Sequence, residues 1–225
     1  MTRRISLPAT ISALVLVAPV AGQAAKPGKP PSKPGPSSVT ITAAPNPILY
    51  GNSVAISGKL TASTLAGVSV TLKAAPYPYT SFVQVASATT DIQGVYHFAQ
   101  SPKLNTEYRV MAKSKPQATS TTLLVKVRTR VSLHVSTTTP AVGARVKFSG
   151  TITPAHDGQM VLIQRRSRTG TFVTVATTRL LHTSTGASAY RKTLRIKASG
   201  TYRVVKSHDA DHAIGVSGLR RITVH

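Results

Sequence analysis

The sequence predicts an all-β protein with two tandem β-sandwich domains, preceded by an export signal and a proline-rich linker. Three observations support this fold class. From Val39 onward, apolar and polar residues alternate with period two, and no stretch of helix length has an apolar face with a period of 3.6. Clusters of Asn, Gly, Pro and Ser interrupt the alternation at short intervals. The chain also repeats itself after about 90 residues, the size of one seven-stranded sandwich.

Two segments of the chain occur twice. The segment 50–58 returns as 142–150, and each copy ends in Ser-Gly. Tyr-Arg-Val at 108–110 returns at 202–204, so equivalent positions lie 92 to 94 residues apart. A duplicated domain explains both offsets. We therefore predict two domains, which are called the first half (39–127) and the second half (128–225).

Residues 1–25 have the pattern of a cleaved signal peptide. Arg3 and Arg4 supply its positive start, an apolar core runs from Ile11 to Val20, and small residues follow. The apolar core is shorter than a membrane-spanning helix requires. We therefore predict a secreted, extracellular protein without a transmembrane anchor in the mature chain. The paired arginines leave the general and the twin-arginine export routes open.

Residues 26–38 form the predicted linker. They are rich in Pro, Lys and Gly and offer no large apolar side chain for burial, which is typical of an extended tether. The sequence contains no cysteine, so no disulfide supports the folded part. Each predicted domain must therefore be stabilised by its own hydrophobic core.

The alternation predicts seven strands in each half. Val68, Val70 and Leu72, for example, share one face of a strand, and the residues between them face water. In the first half the predicted strands lie near 39–44, 53–59, 68–74, 81–88, 94–99, 106–113 and 119–127. In the second half they lie near 130–137, 144–152, 159–166, 171–178, 188–197, 200–206 and 216–224.

Two motifs make the chain resemble the bacterial immunoglobulin-like (Ig-like) domain repeats of secreted and surface proteins. One is the late strand that begins at Tyr108 in the first half and at Tyr202 in the second. The other is the acidic turn of residues 207–217, whose counterpart at 113–118 lacks an acid. The resemblance implies two Ig-like sandwiches. It also implies that each tyrosine ring closes a core while its hydroxyl binds a nearby backbone group.

Positive charge is concentrated in the second half. The net charge is +23, and the second half carries sixteen Lys or Arg against Asp157, Asp209 and Asp211. Such a domain attracts polyanions, although charge that only keeps the protein soluble explains the same composition. The candidate polyanion-binding residues, near one strand end and on one strand face, are Arg165, Arg166, Arg168, Arg191, Arg195 and Lys197. Because the nearest aromatic residues, Phe172 and Tyr190, are predicted to face the core, we expect no nucleic-acid binding.

The sequence offers little for catalysis. It has five carboxylates, no cysteine nucleophile and no motif for a hydrolase, a phosphate loop or a metalloprotease, so we predict no enzyme activity and no cofactor. His208 and His212 flank two aspartates that could hold Zn²⁺. This spacing suits two ligands on a helix, whereas the segment is predicted to be a turn, so we predict no metal site. Tyr77 and Tyr79, in a proline-containing loop, are the candidate loop contacts for sugar or peptide.

Together these features predict a secreted, non-catalytic tandem Ig-like protein that acts as a structural or adhesive interaction module with a protein partner. The alternative is a binding module for an anionic cell-wall or matrix polysaccharide, in which the basic second half supplies the affinity. The two hypotheses differ in salt dependence, because binding to a polyanion weakens steeply as salt rises. The identity of the ligand and the oligomeric state stay open at this stage.

Overall fold

A computed structural model describes residues 35–183 and 186–225 of the chain. Throughout these residues the protein is all-β and contains no helix, which confirms the predicted fold class. The predicted signal peptide, residues 1–25, lies outside the described residues, as does most of the linker at 26–38. Within the described part of the chain, no helix is long and apolar enough to cross a membrane.

The first half contains ten strands, nine of which form two antiparallel sheets. The strands are β1 (Ser38–Val39), β2 (Thr42–Ala44), β3 (Ile48–Leu49), β4 (Val54–Thr61), β5 (Ser69–Pro76), β6 (Val83–Thr89), β7 (Val95–Gln100), β8 (Thr106–Ala112), β9 (Ala118–Thr119) and β10 (Leu123–Val125). Strands β1, β2, β4 and β7 form a four-stranded sheet, and β5, β6, β8, β9 and β10 form a five-stranded sheet. Strand β3 pairs in parallel with β11 (Val127–Arg128), which leads into the second half.

The second half repeats this arrangement. Its strands are β12 (Arg130–Val131), β13 (His134–Val135), β14 (Arg145–Thr153), β15 (Met160–Arg166), β16 (Phe172–Arg179), β17 (Leu181–His182), β18 (Ser188–Arg195), β19 (Gly200–Lys206), β20 (Gly215–Val216) and β21 (Arg220–Ile222). Strands β12, β13, β14, β17 and β18 form one sheet, and β15, β16, β19, β20 and β21 form the other. The long central strands lie where the alternation predicts them, whereas the predicted strands at 130–137 and 216–224 are each broken into two short pieces.

Each half buries its own cluster of apolar side chains, drawn from both of its sheets. In the first half Ile56 of β4 and Val110 of β8 are fully buried, and in the second half Phe148 of β14 and Val204 of β19 are. In β5 and β14 the buried residues alternate with exposed or half-buried ones over part of the strand. The period of two therefore places one face of each strand in the core. The domain boundaries given above stay a prediction.

A glycine and a tyrosine face each other at the same place in both halves. Gly58 lies opposite Tyr96, and Gly150 lies opposite Tyr190. The Tyr190 hydroxyl donates a hydrogen bond of 2.7 Å to the Ser132 carbonyl, and burial raises the pKa of Tyr190. A Cβ atom at Gly150 would lie 2.7 Å from this hydroxyl and would overlap the carbonyl. The repeated glycine is thus the residue that lets the tyrosine reach the backbone.

The hydroxyl groups of Tyr108 and Tyr202 were expected to bind a nearby backbone group. Both rings are buried, and Tyr202 packs against Phe148 with ring centroids 5.2 Å apart. Yet the hydrogen bonds found among residues 35–183 and 186–225 include none from either hydroxyl. Hydroxyl contacts to the backbone are made instead by Tyr96, whose hydroxyl donates to the Thr40 carbonyl, and by Tyr190. The ring role expected from the resemblance fits these tyrosines, but the hydroxyl role was assigned to the wrong pair.

We expect Gly150→Ala to lower the free energy of unfolding by about 1–3 kcal/mol, because the added methyl group overpacks a site closed by backbone. Urea denaturation measures this change. Gly218→Ala is the matched control: a Cβ at Gly218 meets nothing within 4 Å, so the change should stay within about 0.5 kcal/mol. Equal stability of the two variants would contradict this account of the repeated glycine.

Candidate functional site

The turn at residues 207–213 of the second half contacts the first half. The backbone N–H of Asn105 donates to the Asp211 carbonyl at 2.8 Å, and the N–H of Ala213 donates to the Val127 carbonyl at 2.7 Å. A ring nitrogen of His212 lies 2.9 Å from the Lys103 carbonyl. All of these residues belong to one compact unit. The acidic turn is therefore part of the joint between the two halves.

Asp209 shapes this turn. Its Oδ1 accepts the N–H of His212 and its Oδ2 accepts the Lys206 ammonium, each at 2.9 Å. The Lys206 side chain is only 2% exposed. Burial acts to raise the pKa of Asp209, but hydrogen bonds with Asp211 and Lys206, together with the Lys206 charge, outweigh it and hold the pKa of this carboxyl well below its usual range. Asp209 is thus an ionised carboxylate.

His156 completes the group from the loop between β14 and β15. Its side chain is 4% exposed, and its Nε2 lies 3.2 Å from Asp209 Oδ2 and 4.0 Å from Asp211 Oδ1. Its ring meets the His212 ring edge-on with centroids 5.0 Å apart. His156, Asp209, Asp211 and His212 each offer one nitrogen or oxygen atom, and these four atoms lie within 4.8 Å of one another. This set of four is called the junction cluster.

Backbone carbonyls fix the proton positions on both rings of the junction cluster. His156 Nδ1 lies 2.9 Å from the Pro154 carbonyl, and His212 Nε2 lies 2.9 Å from the Lys103 carbonyl. A carbonyl only accepts, so each of these nitrogens carries a hydrogen. The opposite nitrogens, His156 Nε2 and His212 Nδ1, are buried and have no hydrogen-bond partner. Each is 3.2 Å from a carboxylate oxygen, within ion-pair distance but without hydrogen-bond geometry.

The sequence predicted part of this cluster and missed the rest. The turn of 207–213 was considered as a ligand source, but two ligand histidines four residues apart were expected only on a helix. His156 was not connected with the aspartates from the sequence. The backbone N–H of His156 donates to Ser188 Oγ at 2.6 Å, and this bond holds the loop against β18. No local sequence pattern predicts that hydrogen bond.

The candidate polyanion-binding residues lie on two different sheets. Arg191 and Arg195 are exposed on β18, where Arg195 lies directly opposite Arg145 of β14 and Arg191 opposite Ser149. Lys147 is exposed on the same face of β14. The exposed set of Arg145, Lys147, Arg191 and Arg195 is called the basic face. Sequence parity identified Arg191 and Arg195, but it could not supply the pairing with β14.

Three further candidates lie at the end of β15 and in the loop that follows it, and Lys197 lies just after β18. Arg165 NH2 donates to the Ser199 carbonyl at 2.6 Å, and Arg166 Nε donates to the Gly170 carbonyl at 3.1 Å. Arg168 is exposed in the loop. Arg165 meets Arg195 and Lys197 in a groove of about 270 Å³, so this groove brings together residues of the two predicted groups.

Carboxylates are absent from the basic face. Asp157 contacts His182 and Ser188, at 2.6 and 2.5 Å. Asp209 and Asp211 belong to the junction cluster. Within the described residues, Lys206 is the sole lysine or arginine in an ion pair with a carboxylate. The positive charge of the basic face is therefore not neutralised within the chain.

Aromatic residues occupy three different settings. Tyr190 is buried as expected, whereas Phe172 is half-buried outside the core cluster, with the Arg203 guanidinium 3.9 Å from its ring centroid. The core placement expected for Phe172 is wrong, because β16 is the edge strand of its sheet and Arg203 covers the ring. Tyr77 is 38% exposed and meets Tyr79 edge-on with ring centroids 5.6 Å apart.

Comparison with known proteins finds similarity among solved structures. No protein-family model and no curated protein matches the chain. Among solved structures, the chain is similar to one described as the crystal structure of a tetra-tandem repeat in the extending region of a large adhesion protein. The sequences are 13% identical and the TM-score is 0.33. The similarity covers 83% of this chain and 49% of the other, so the chain spans about half of that structure's length.

We expect Lys206→Met to lower the free energy of unfolding by about 3 kcal/mol, because it leaves the Asp209 carboxylate poorly solvated and without its cation. Chemical denaturation measures the loss. Lys197→Met removes an equal charge from an exposed position and should change stability by less than about 0.5 kcal/mol. A Lys206 variant as stable as the Lys197 variant would show that the ion pair does not stabilise the joint.

Proposed function

We propose that the protein is an exported, non-catalytic interaction module that adheres to an anionic polysaccharide through its second half. The observation that carries this proposal is the direct cross-strand pair Arg145 and Arg195, two like charges placed side by side, neither of which forms an ion pair with a carboxylate of the described residues. Like charges opposite each other on a sheet destabilise it. An arrangement that costs stability and has no internal counter-ion is suited to an external anion.

The first half provides an internal comparison. In its equivalent sheet, β4 pairs with β7, and the registers Ala55 with Ala99 and Ser57 with His97 bring no arginine together. The same scaffold therefore forms without a basic face. The charge of the second half is an addition to the fold and not a requirement of it, which favours a binding role over a structural one.

The groove beside the basic face supports the same function. Arg165, Arg195 and Lys197 line it together with the apolar residues Val175 and Ile196. A sugar ring offers apolar faces as well as anionic substituents, so such a lining suits one acidic sugar unit. The neighbouring arginines of the basic face would then bind further units along the polymer, mainly by long-range attraction that salt screens.

The joint between the halves bears on where the module holds its binding surface. Backbone bonds from Asn105 and Ala213 and the parallel pair of β3 and β11 leave no free linker between the halves. In this proposal the first half holds the binding surface at a fixed distance from whatever precedes it. This is the structural part of the role, and it needs no catalytic group.

We expect the protein to bind a polyuronate such as polygalacturonate, and not neutral dextran, with an affinity that falls steeply between 50 and 300 mM NaCl. Each contact between a basic side chain and the polymer releases about one counter-ion on binding, by analogy with polyelectrolyte binding generally. The double variant Arg191→Glu with Arg195→Glu loses two such contacts, so the slope of log affinity against log salt should become less steep by about 2. Fluorescence anisotropy with labelled polymer measures both quantities.

The matched control is Lys113→Glu with Lys115→Glu, the same charge change at two exposed positions of the first half. Equal loss of binding in the control pair would show that net charge alone attracts the polymer, and the assigned surface would be wrong. No binding by the unmodified protein at 50 mM NaCl would refute polysaccharide adhesion itself.

A second candidate function is contact with a protein or a neutral sugar through the Tyr77 loop. The exposed ring of Tyr77, braced edge-on by Tyr79, favours it. Trimming of Tyr77 and Tyr79 to alanine separates the two candidates. If this variant loses binding to a protein or neutral-sugar ligand but still binds polyuronate with the same salt dependence, this contact is assigned to the first half.

A further inference from the structure

We propose that the junction cluster is a binding site for one divalent transition-metal ion, with Zn²⁺ as the best chemical match. The ligands are His156 Nε2, Asp209, Asp211 and His212 Nδ1. This inference goes beyond the proposed function and does not depend on the basic face. It rests on the geometry of the four side chains and on the two buried ring nitrogens that lack a hydrogen-bond partner.

The first argument concerns the two imidazole lone pairs. Because His156 Nδ1–H donates to Pro154 and His212 Nε2–H donates to Lys103, the rings turn their other nitrogens toward the cluster. Each of these nitrogens lies 3.2 Å from a carboxylate oxygen. A lone pair and a carboxylate repel each other at that distance unless a ring proton or a metal ion lies between them, and neither contact has the geometry of a hydrogen bond from a ring N–H. A metal ion bound to both removes the repulsion and satisfies both buried nitrogens.

The second argument concerns the groups behind the ligands. Histidines that bind metal usually donate their other ring N–H to a carbonyl or carboxylate, which fixes the ring. Both histidines of the cluster have such a carbonyl. Asp209 is likewise held by Lys206 and by the His212 backbone N–H. These neighbours orient the ligands, and they leave His156 Nε2 and His212 Nδ1 without a hydrogen-bond partner.

The third argument concerns which ion fits. Two imidazole nitrogens with two carboxylates suit Zn²⁺ and similar transition ions, whereas Ca²⁺ and Mg²⁺ prefer sets of oxygen atoms. Ligands about 2.1 Å from a tetrahedral ion lie about 3.4 Å apart. The four atoms here lie within 4.8 Å of one another, so the separations must shrink by at most about 1.4 Å to close the set. Asp211, whose side chain is 37% exposed, is the ligand best able to move.

Charge also favours a cation at this site. The groups facing the site that can carry charge are the Asp209 and Asp211 carboxyl groups and the Lys206 ammonium, so acidic groups outnumber this ammonium beside the two rings. A cavity of about 460 Å³ borders the cluster and is lined by two of its members, Asp209 and His212, together with His208, Lys126 and Asn105. Once bound, an ion would tie the His156 loop to the turn that holds the first half through Lys103.

The test is calorimetric titration of the chelator-treated protein with ZnCl₂. We expect one tightly bound Zn²⁺ per chain, an increase in Tm with added Zn²⁺, and visible absorption typical of tetrahedral Co²⁺ when CoCl₂ replaces it. His156→Gln and Asp211→Asn should each weaken the tight site at least about 100-fold, since loss of a ligand exceeds loss of a supporting contact.

Two histidines outside the cluster serve as controls. His208→Ala removes an exposed imidazole of the same turn, and His182→Ala removes the exposed partner of Asp157, so both variants should keep the tight site. Asp211→Asn guards against misfolding of the buried His156 variant, because its side chain is partly exposed. Absence of a one-to-one site in the unmodified protein, or full Zn²⁺ affinity in both ligand variants, would overturn the proposal. Binding that disappears in His208→Ala or His182→Ala would do the same.

Discussion

The buried ion pair of Lys206 and Asp209 is the contact on which the joint between the two halves depends. Removal of a lysine from water costs several kcal/mol unless a carboxylate and further hydrogen bonds compensate. Asp209 supplies the charge, and the Ser207 carbonyl accepts a second hydrogen bond from Lys206. The other oxygen of Asp209 accepts the His212 N–H. One carboxylate therefore fixes both the end of β19 and the turn that meets the first half.

The equivalent turn of the first half has no carboxylate. The segment Lys113–Pro116 contains no acid, so no carboxylate folds it back onto its own strand. Lys113, Ser114 and Lys115 instead line a cavity of about 540 Å³ together with the 62–69 segment that follows β4. That segment corresponds to the loop that carries His156. The duplicated scaffold thus carries an ion pair and the junction cluster at this end of the second half, whereas the equivalent end of the first half has no carboxylate in its turn.

The sequence predicts the scaffold well because the signals for it are local or repeated. Period-two alternation locates the long strands, and the repeated Gly58 and Gly150 mark the positions where a tyrosine hydroxyl reaches a backbone carbonyl. Which tyrosine does so was not predictable, since Tyr96 and Tyr108 both belong to alternating strands and are both buried. Only the cross-strand register, which places Tyr96 opposite Gly58, distinguishes them.

The functional surfaces were predicted less completely because they depend on pairing between distant segments. Parity along one strand identified Arg191 and Arg195, but the partners Arg145 and Lys147 require the register of β14 against β18. His156 requires the loop contact with Ser188. The two surfaces also differ in charge, because the aspartates and the basic face lie in different parts of the second half. All three carboxylates of the second half are engaged at its junction end or with His182 and Ser188. The basic face keeps its positive potential because the three aspartates of the second half have partners elsewhere.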